Sequence, residues 1–409
     1  MSPLIFGKVC RSWREIAWSA PRLWTLLQVN LNKVTDFHAT LANEWLLRSM
    51  DQPLAICVTW VAGDKPVSES ACIAIMGTIA KCSHRWQELK LRLPDFCYDI
   101  LNHIRNHLPI LRFISIDRGM EESGPEMRMF DAAPQLRVAQ IRGMYLNRIL
   151  LPMDQLTSLS ICCGDVDECL EMLQQSPHVI HCAFGNICVS HNDPGPVHVH
   201  ASQLEVLELI DVIELCSDAA DVALEHLTAP AIRKISWHAY RYLPNKTSLH
   251  HHEFISFIHR SLCSLESLSL DGLCLSSDND LIECLQAVPS LTALSLTEVD
   301  ITNNVFQMLE LHYWPDMPLH TLLPNLKSLK YSGNLRLDFS VIAGLLRSRW
   351  EVGQAWDLMS NGCTTARLQS VVIESDAEGV PDDHTLDLLK QLMKEGMELS
   401  LVTSDGKWA

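Results

Sequence analysis

The densest run of residues that could do chemistry lies between positions 178 and 200, where histidines and cysteines recur every few residues. The run consists of His178, His181, Cys182, Cys188, His191, His198 and His200. Imidazole and thiolate groups are the ligands that Zn²⁺ prefers, and the spacing of Cys182, Cys188 and His191 allows them to reach one ion. A metal-dependent or thiol enzyme built around this run is therefore one hypothesis for the chain.

The positions of these side chains depend on the secondary structure around them, and a repeated spacing predicts that structure. An apolar residue is followed by two others, a second apolar residue, one other and a third apolar residue, as in LESLSL and LTALSL. Eleven segments share this spacing, beginning at Trp86, Leu111, Leu136, Leu156, Val179, Leu204, Ile232, Leu265, Leu291, Leu326 and Leu368. Alternating apolar residues predict β-strands, and their recurrence every 20 to 42 residues predicts stacked repeats.

The segments between these strands predict helices. Apolar residues such as Val166, Leu170 and Leu173 follow helical spacing. Six strands are preceded by a proline, which ends a helix and favours an extended chain. These are Pro109, Pro134, Pro177, Pro230, Pro289 and Pro324. The sequence therefore predicts an α/β solenoid of degenerate leucine-rich repeats, with parallel strands on its concave face and helices on its convex face. A compact α/β domain is the alternative, and the strands at 53–58 and 397–402 are the expected end units.

The repeat register changes the interpretation of the histidine and cysteine run. Cys182 falls at the second apolar position of its strand, where other copies have leucine, and Cys188 falls at a position that Cys274 occupies in another copy. Both cysteines are therefore predicted to be core residues, and no metal or other cofactor is expected. The HHHEF segment at 250–254 is predicted as a solvated loop ahead of a helix, with metal binding or pH sensing as the alternative. Because nucleotide-binding and hydrolase motifs are also absent, the chain is not expected to be an enzyme.

Charge and composition restrict the classes of partner. The 409 residues carry a formal net charge of −17 and have no dense run of lysine and arginine, which argues against nucleic-acid binding. No stretch of about 18 uninterrupted apolar residues is present, so no membrane span is expected. The fifteen cysteines follow no secretory signal, and we expect them to be reduced thiols in the cytoplasm or nucleus.

The N-terminal stretch PLIFGKVCRSWREIAWSAPRLW combines helical spacing with unusual residue types. Ser2 and Pro3 suit a helix start, and Ile5, Val9, Trp13 and Ile16 or Ala17 form one apolar stripe, which ends before Pro21. From the spacing alone, this helix could simply be the cap that closes one end of the solenoid.

The residue identities resemble those of a known family. VCRSWREIAWSAPRLW resembles the C-terminal half of the F-box in proteins of mushroom-forming fungi, and EWLLRSMDQPLAICVTW looks like the helix and strand that follow it there. The specific likeness covers about the first 60 residues. The Leu-Pro segment and the earlier helix that open an F-box do not precede these residues here, so we expect a truncated copy of the domain.

This resemblance implies a partner and residues that contact it. An F-box docks on a Skp-type adaptor and joins a cullin-RING ubiquitin ligase, while the repeats hold the protein substrate. By position, Val9, Cys10 and Trp13 would lie at or beneath the adaptor surface, and Trp24 would anchor the F-box to the next segment.

The expected organisation is therefore a partial F-box-like segment at 1–27, a helical connector at 28–52 and degenerate leucine-rich repeats at 53–409. The expected function is that of a non-catalytic substrate receptor of an SCF-type ligase, with a Skp-type adaptor, and through it a cullin, as partners. The alternative is a stand-alone repeat protein that binds or inhibits a partner without attachment to a ligase. The sequence does not identify the residues that bind the substrate.

Overall fold

The structure is a computed structural model that describes residues 3–63, 68–119, 126–143, 146–189, 197–211, 218–239, 250–311, 321–351 and 365–409. The chain divides into two compact units, Met1–Val179 and Ile180–Ala409. Each unit contains a mostly parallel sheet whose strands follow one another in sequence order, with helical segments between them.

The first unit contains a parallel sheet with the order β1 to β6 in its described part. The strands are β1 (Leu26–Asn30), β2 (Leu54–Thr59), β3 (Trp86–Leu91), β4 (Phe113–Asp117), β5 (Val138–Arg142) and β6 (Ser158–Cys162). The helices are α1 (Phe6–Val9), α2 (Arg11–Ser19), α3 (Asp36–Arg48), α4 (Glu69–Ala80), α5 (Tyr98–Asn102) and α6 (Val166–Gln174). Short 3₁₀ turns, such as Pro21–Trp24 and Ser83–Arg85, complete several connections.

The second unit contains a sheet with the order β7, β9 and then β11 to β17, in which only the last described pairing, β16 with β17, is antiparallel. These strands are β7 (His181–Gly185), β9 (Val206–Asp211), β11 (Lys234–Ala239), β12 (Ser267–Asp271), β13 (Ala293–Thr297), β14 (Ser328–Gly333), β15 (Ser370–Ser375), β16 (Glu398–Thr403) and β17 (Gly406–Lys407). A separate parallel pair is formed by β8 (Val199–His200) and β10 (Leu227–Thr228). The helices are α7 (Ala219–Glu225), α8 (His251–Ser261), α9 (Asp278–Gln286), α10 (Asn303–Leu309), α11 (Phe339–Trp350) and α12 (Asp383–Lys394).

Alternation within each strand explains how these sheets form. In β12, Leu268 and Leu270 are buried, whereas Ser267, Ser269 and Asp271 remain partly exposed. Successive side chains of a strand point to opposite faces, so one face of the sheet meets the apolar helical side and the other meets solvent. A parallel sheet usually has both faces covered, and this half-open arrangement is therefore a distinctive feature of the fold.

The predicted strand positions are confirmed. All eleven segments with the repeated spacing contain a strand, and the two expected end units are strands β2 and β16. The α/β class with a mostly parallel sheet is confirmed as well. The register places equivalent apolar residues side by side, as Leu268 lies beside Leu294 in the next strand, and these pairs build the core.

Two predictions about the N-terminal region are wrong in detail. The single helix predicted from Pro3 is broken at Cys10, whose extended backbone (φ −157°, ψ 175°) separates α1 from α2. The connector predicted to be helical over 28–52 begins with the end of β1, so the sheet starts at Leu26. Burial alternates along LLQVN, as expected for a strand. The α-helical part of the predicted connector is therefore confined to α3 and does not include its first residues.

Gly272 permits a close approach between neighbouring strands. Its φ is +71°, and a Cβ atom there would lie 2.3 Å from the carbonyl oxygen of Ala239 at the end of β11. The left-handed backbone alone costs a residue with a Cβ about 1–2 kcal/mol. We therefore expect Gly272→Ala to lower the free energy of unfolding by at least about 2 kcal/mol in chemical denaturation.

The matched control for this prediction is Gly77→Ala. Gly77 lies inside α4, and a Cβ atom at this position would meet no other atom within 4 Å. Because glycine weakens a helix interior by about 0.5–1 kcal/mol relative to alanine, this variant should be slightly more stable than the parent. Equal effects of the two substitutions would contradict the close approach at Gly272.

Three arginines connect successive helices in the same way. Arg85, Arg260 and Arg349 lie at or near the end of α4, α8 and α11, respectively. Each donates to a carbonyl oxygen in the last turn of the preceding helix: Arg85 to Leu46 at 3.5 Å, Arg260 to Leu224 at 2.6 Å and Arg349 to Leu309 at 2.6 Å. The last carbonyls of a helix have no partner within it, so these arginines act as C-terminal caps supplied by the next helix or, for Arg85, by the 3₁₀ turn that follows it.

Candidate protein-docking surface

The N-terminal helices leave a row of large apolar side chains in solvent. Ile5, Val9, Trp13 and Ile16 are 51, 59, 51 and 67% exposed, respectively. They are the residues of the predicted apolar stripe. Of the two residues predicted for its last position, Ile16 is exposed, whereas Ala17 is buried. We call these four side chains the N-terminal apolar stripe.

A small number of contacts hold the stripe in place across the break at Cys10. The guanidinium group of Arg14 in α2 donates to the carbonyl oxygen of Gly7 in α1 at 2.9 and 2.5 Å. The ring of Trp13 lies against that of Phe6, with centroids 6.0 Å apart. These contacts tie the two short helices together across the break.

Trp24 attaches this pair of helices to the sheet unit. Its side chain is fully buried, and its indole Nε1 donates to the carbonyl oxygen of Ala17 in α2 at 2.7 Å. Its ring meets that of Trp45 in α3 edge-on, with centroids 4.8 Å apart. The guanidinium group of Arg48 lies 4.8 Å from the Trp24 ring and 5.0 Å from that of Trp18. A cluster of tryptophan rings and Arg48 therefore holds α2, which carries part of the stripe, against α3.

The residues predicted to contact an adaptor lie at the junction between α1 and α2. Val9 ends α1, Cys10 forms the break, and Trp13 lies in the first turn of α2. All three are exposed, and Cys10 is a free thiol. The stripe is flanked by basic side chains, including Lys8 and Arg11, and Arg11 forms an exposed ion pair with Glu15 at 2.9 Å.

A groove beside the stripe was not foreseen from the sequence. It has a volume of about 390 Å³ and lies along β1, where Leu4, Leu23, Leu26, Val34 and Trp45 are among its lining residues. Leu4, Leu23 and Leu26 are also exposed, so part of the apolar lining of the groove meets solvent. The PRLW turn and the alternation that follows it are the sequence signal for this groove, but they do not show which side chains stay exposed.

The solvent-facing side of each sheet forms a second kind of surface. In the second unit, the strand register aligns Ser236, Ser269 and Ser295 across β11, β12 and β13. In the first unit, the corresponding face carries charges, and Arg92 and Asp117 approach each other to 3.8 Å. These faces present rows of polar side chains at regular strand spacing, which suits contacts with an extended surface of another protein.

The histidine and cysteine run at 178–200 does not form a ligand cluster within its described residues. Cys182 is fully buried in β7, and this burial raises the pKa of its thiol. His198 instead lies 2.9 Å from the hydroxyl of Thr228. His191 lies outside the described residues. The core role predicted for Cys182 is confirmed by its burial.

The expectation that all cysteines are reduced is wrong at one position. Cys188 is part of a disulfide, whereas the other twelve cysteines among the described residues are free. A count of cysteines and their spacing cannot show which sulfur atoms approach each other in space, because a disulfide depends on the distance and direction of two Cβ atoms.

The HHHEF segment differs from the predicted loop. His251 begins α8, so the second and third histidines lie in its first turn. His250 donates from Nδ1 to Oδ2 of Asp221 at 2.6 Å, and this hydrogen bond raises the pKa of His250. His251 lies near Glu283 in α9, with 3.5 Å between Nε2 and the carboxylate. The two adjacent histidines thus contact different helices.

The comparisons add no family assignment. Among the described residues, no helix combines the length and apolar character needed to cross a membrane. No protein-family model matches this chain, and no curated protein matches it.

Proposed function

We propose that this chain is the non-catalytic substrate receptor of a cullin-RING ubiquitin ligase of the SCF type. In this proposal, the N-terminal helices dock on a Skp-type adaptor, and the strands and helices that follow are degenerate leucine-rich repeats that hold a protein substrate. The observation that carries the proposal is the N-terminal apolar stripe, whose large side chains lie in solvent on two short helices.

The exposure of this stripe is energetically unfavourable unless a partner covers it. Burying a large apolar side chain contributes roughly 1.5–3 kcal/mol, so a cluster of four, including a tryptophan, can supply the central contacts of an interface. Large apolar patches on a protein surface usually mark binding sites. An amphipathic helix that lays this face into an apolar groove is a common mode of recognition.

The Trp24 cluster supports this proposal because a substrate receptor must hold its substrate in a fixed position relative to the adaptor. Trp24 links α2 to α3 through one hydrogen bond and one ring contact, both in the buried interior. An adaptor bound to the stripe would therefore be held in a fixed position relative to the first sheet unit. A ligase needs this because it acts by raising the effective concentration of substrate lysines near the charged enzyme.

The open sheet faces are the surfaces that we assign to substrate binding. In β12, β13 and β14, the parallel register aligns polar side chains such as Ser269, Ser295 and Lys330 into a row. No residue on these faces identifies a particular substrate, and we place the protein in the cytoplasm or nucleus, where such ligases act.

We expect Trp13→Ala to abolish a one-to-one complex with a Skp-type adaptor, measured by co-expression and size-exclusion chromatography with mass detection. Truncating an aromatic anchor at the centre of an interface costs about 2 kcal/mol or more, which is a loss of about 30-fold in affinity. The chain itself should remain folded, because Trp13 is half-exposed.

The matched control is Trp18→Ala on the same helix. Trp18 is similarly exposed but is not one of the four side chains of the stripe, and its ring centroid lies 5.7 and 5.0 Å from the guanidinium groups of Arg14 and Arg48. This variant should keep the complex. If the parent chain and the adaptor elute separately, or if both variants bind equally, the adaptor assignment is refuted.

The second candidate function is a stand-alone repeat protein that binds or inhibits a partner without a ligase. The open polar face of each sheet favours it, because that face is formed within its unit and requires no adaptor. Separate elution of chain and adaptor in the experiment above would favour this function.

A further inference from the structure

We propose that Asp218, Asp221 and His250 form a binding site for a divalent transition-metal ion of the Zn²⁺ type. The three residues come from two segments that are distant in sequence, yet their ligand atoms all lie within 4.8 Å of one another. This inference is independent of adaptor docking, since all three residues belong to the second unit and not to the N-terminal helices.

The site lies where two successive helices approach each other. Asp218 immediately precedes α7, Asp221 lies in its first turn, and His250 immediately precedes α8. The side chain of Asp221 is only 6% exposed, whereas that of His250 is 54% exposed. The buried carboxylate and the solvent-facing imidazole thus form the inner and outer sides of one small site.

The donor set indicates the class of ion. Two carboxylates and one imidazole supply oxygen and nitrogen ligands, which suit Zn²⁺ and its neighbours in the first transition row. The imidazole disfavours Ca²⁺ and Mg²⁺, which take oxygen ligands, and the lack of a thiolate among the three donors disfavours Cu⁺. Because Asp218 and His250 are exposed, water can complete the coordination shell.

Metal binding at this position would stabilise the junction between the two helices. Nδ1 of His250 and Oδ2 of Asp221 are already 2.6 Å apart, so an ion that replaces the proton between them, which is released to solvent, can bind both atoms with little rearrangement. An ion that binds the folded chain and not the unfolded one raises the stability by mass action. The expected consequence is a zinc-dependent increase in the melting temperature of the full chain.

The experiment is a titration of the full chain with ZnCl₂, followed by calorimetry and by thermal unfolding, with CoCl₂ as a spectroscopic probe. We expect one equivalent of Zn²⁺ to bind, to raise the melting temperature and to displace Co²⁺, whose visible absorption reports its ligand geometry. Asp218→Asn and His250→Ala should each lower the zinc affinity by about tenfold or more. Both positions are exposed enough that the variants should fold, which circular dichroism would check.

The control is His252→Ala, which removes a neighbouring imidazole that is not part of the three-residue group. Its zinc affinity should stay within about twofold of the parent value. The proposal is overturned if the parent chain binds no Zn²⁺, if binding survives in both the Asp218→Asn and His250→Ala variants, or if His252→Ala weakens binding as much as they do. The last outcome would indicate adventitious binding to the run of histidines.

Discussion

Replacing Trp24 with alanine is expected to lower the free energy of unfolding of the first unit by about 3–5 kcal/mol, the usual cost of truncating a buried aromatic residue. The side chain is fully buried, and its loss removes the hydrogen bond to Ala17 and the ring contact with Trp45. It would also leave a cavity beneath α2, because the surroundings of a deleted ring relax only in part.

The measurement combines chemical denaturation with limited proteolysis, which reports whether α1 and α2 detach before the rest of the unit unfolds. Trp13→Ala is the matched control, because that side chain is half-exposed and contacts only Phe6 among described aromatic rings. We expect a loss of about 1 kcal/mol or less for the control. Similar losses for the two variants would show that Trp24 does not anchor the helices.

Arg349→Met is expected to destabilise the second unit by about 2–4 kcal/mol. The guanidinium group is fully buried and donates to the carbonyl oxygens of Leu309, Leu322 and Leu323 at 2.6, 2.5 and 3.0 Å. Each buried carbonyl that loses its donor costs about 1–3 kcal/mol.

The opposing contribution is the burial of the charge itself, which lowers the pKa of Arg349 to about 10. Methionine relieves that desolvation while filling a similar volume, so the net loss is smaller than the sum of three hydrogen bonds. The control is Arg347→Met, whose guanidinium group is half-exposed and lies 3.9 Å from Glu351. Surface ion pairs contribute about 0–1 kcal/mol, so denaturation should barely detect this change. Equal midpoints for the two variants would contradict the capping role.

The strands could be predicted from the sequence because their signal is local. In a copy such as LESLSL, the alternation of apolar residues that predicts the strand lies within the copy itself. The proline before a strand marks where the preceding helix cannot continue. The break at Cys10 could not be predicted in this way, because the residues on either side of it keep helical spacing. The strand β1 was missed because five residues of alternation lie between two helical patterns.

The candidate surfaces were predictable to different degrees. Ile5, Val9, Trp13 and Ile16 were named from the sequence, and the structure shows them exposed. An apolar helix face is normally turned toward the core, however, and spacing alone cannot distinguish a covered face from an open one. Metal binding was considered from the sequence only as an alternative for the segment at 250–254, and the two aspartates were not foreseen. Asp218 and Asp221 lie about 30 residues before His250 and meet it only through the packing of α7 against α8. Convergence of this kind is a property of the fold and not of any local pattern.

The arginine caps impose an order on the completion of the helices during synthesis. Because Arg85, Arg260 and Arg349 each serve the helix that precedes them, every capped helix depends on a residue made after it. Synthesis proceeds from the N-terminus, so Leu309 is added to the chain 40 residues before Arg349. Until then, water must satisfy the last carbonyls of α10. During synthesis, the C-terminal end of each of these helices therefore remains uncapped until the arginine that donates to it has been added.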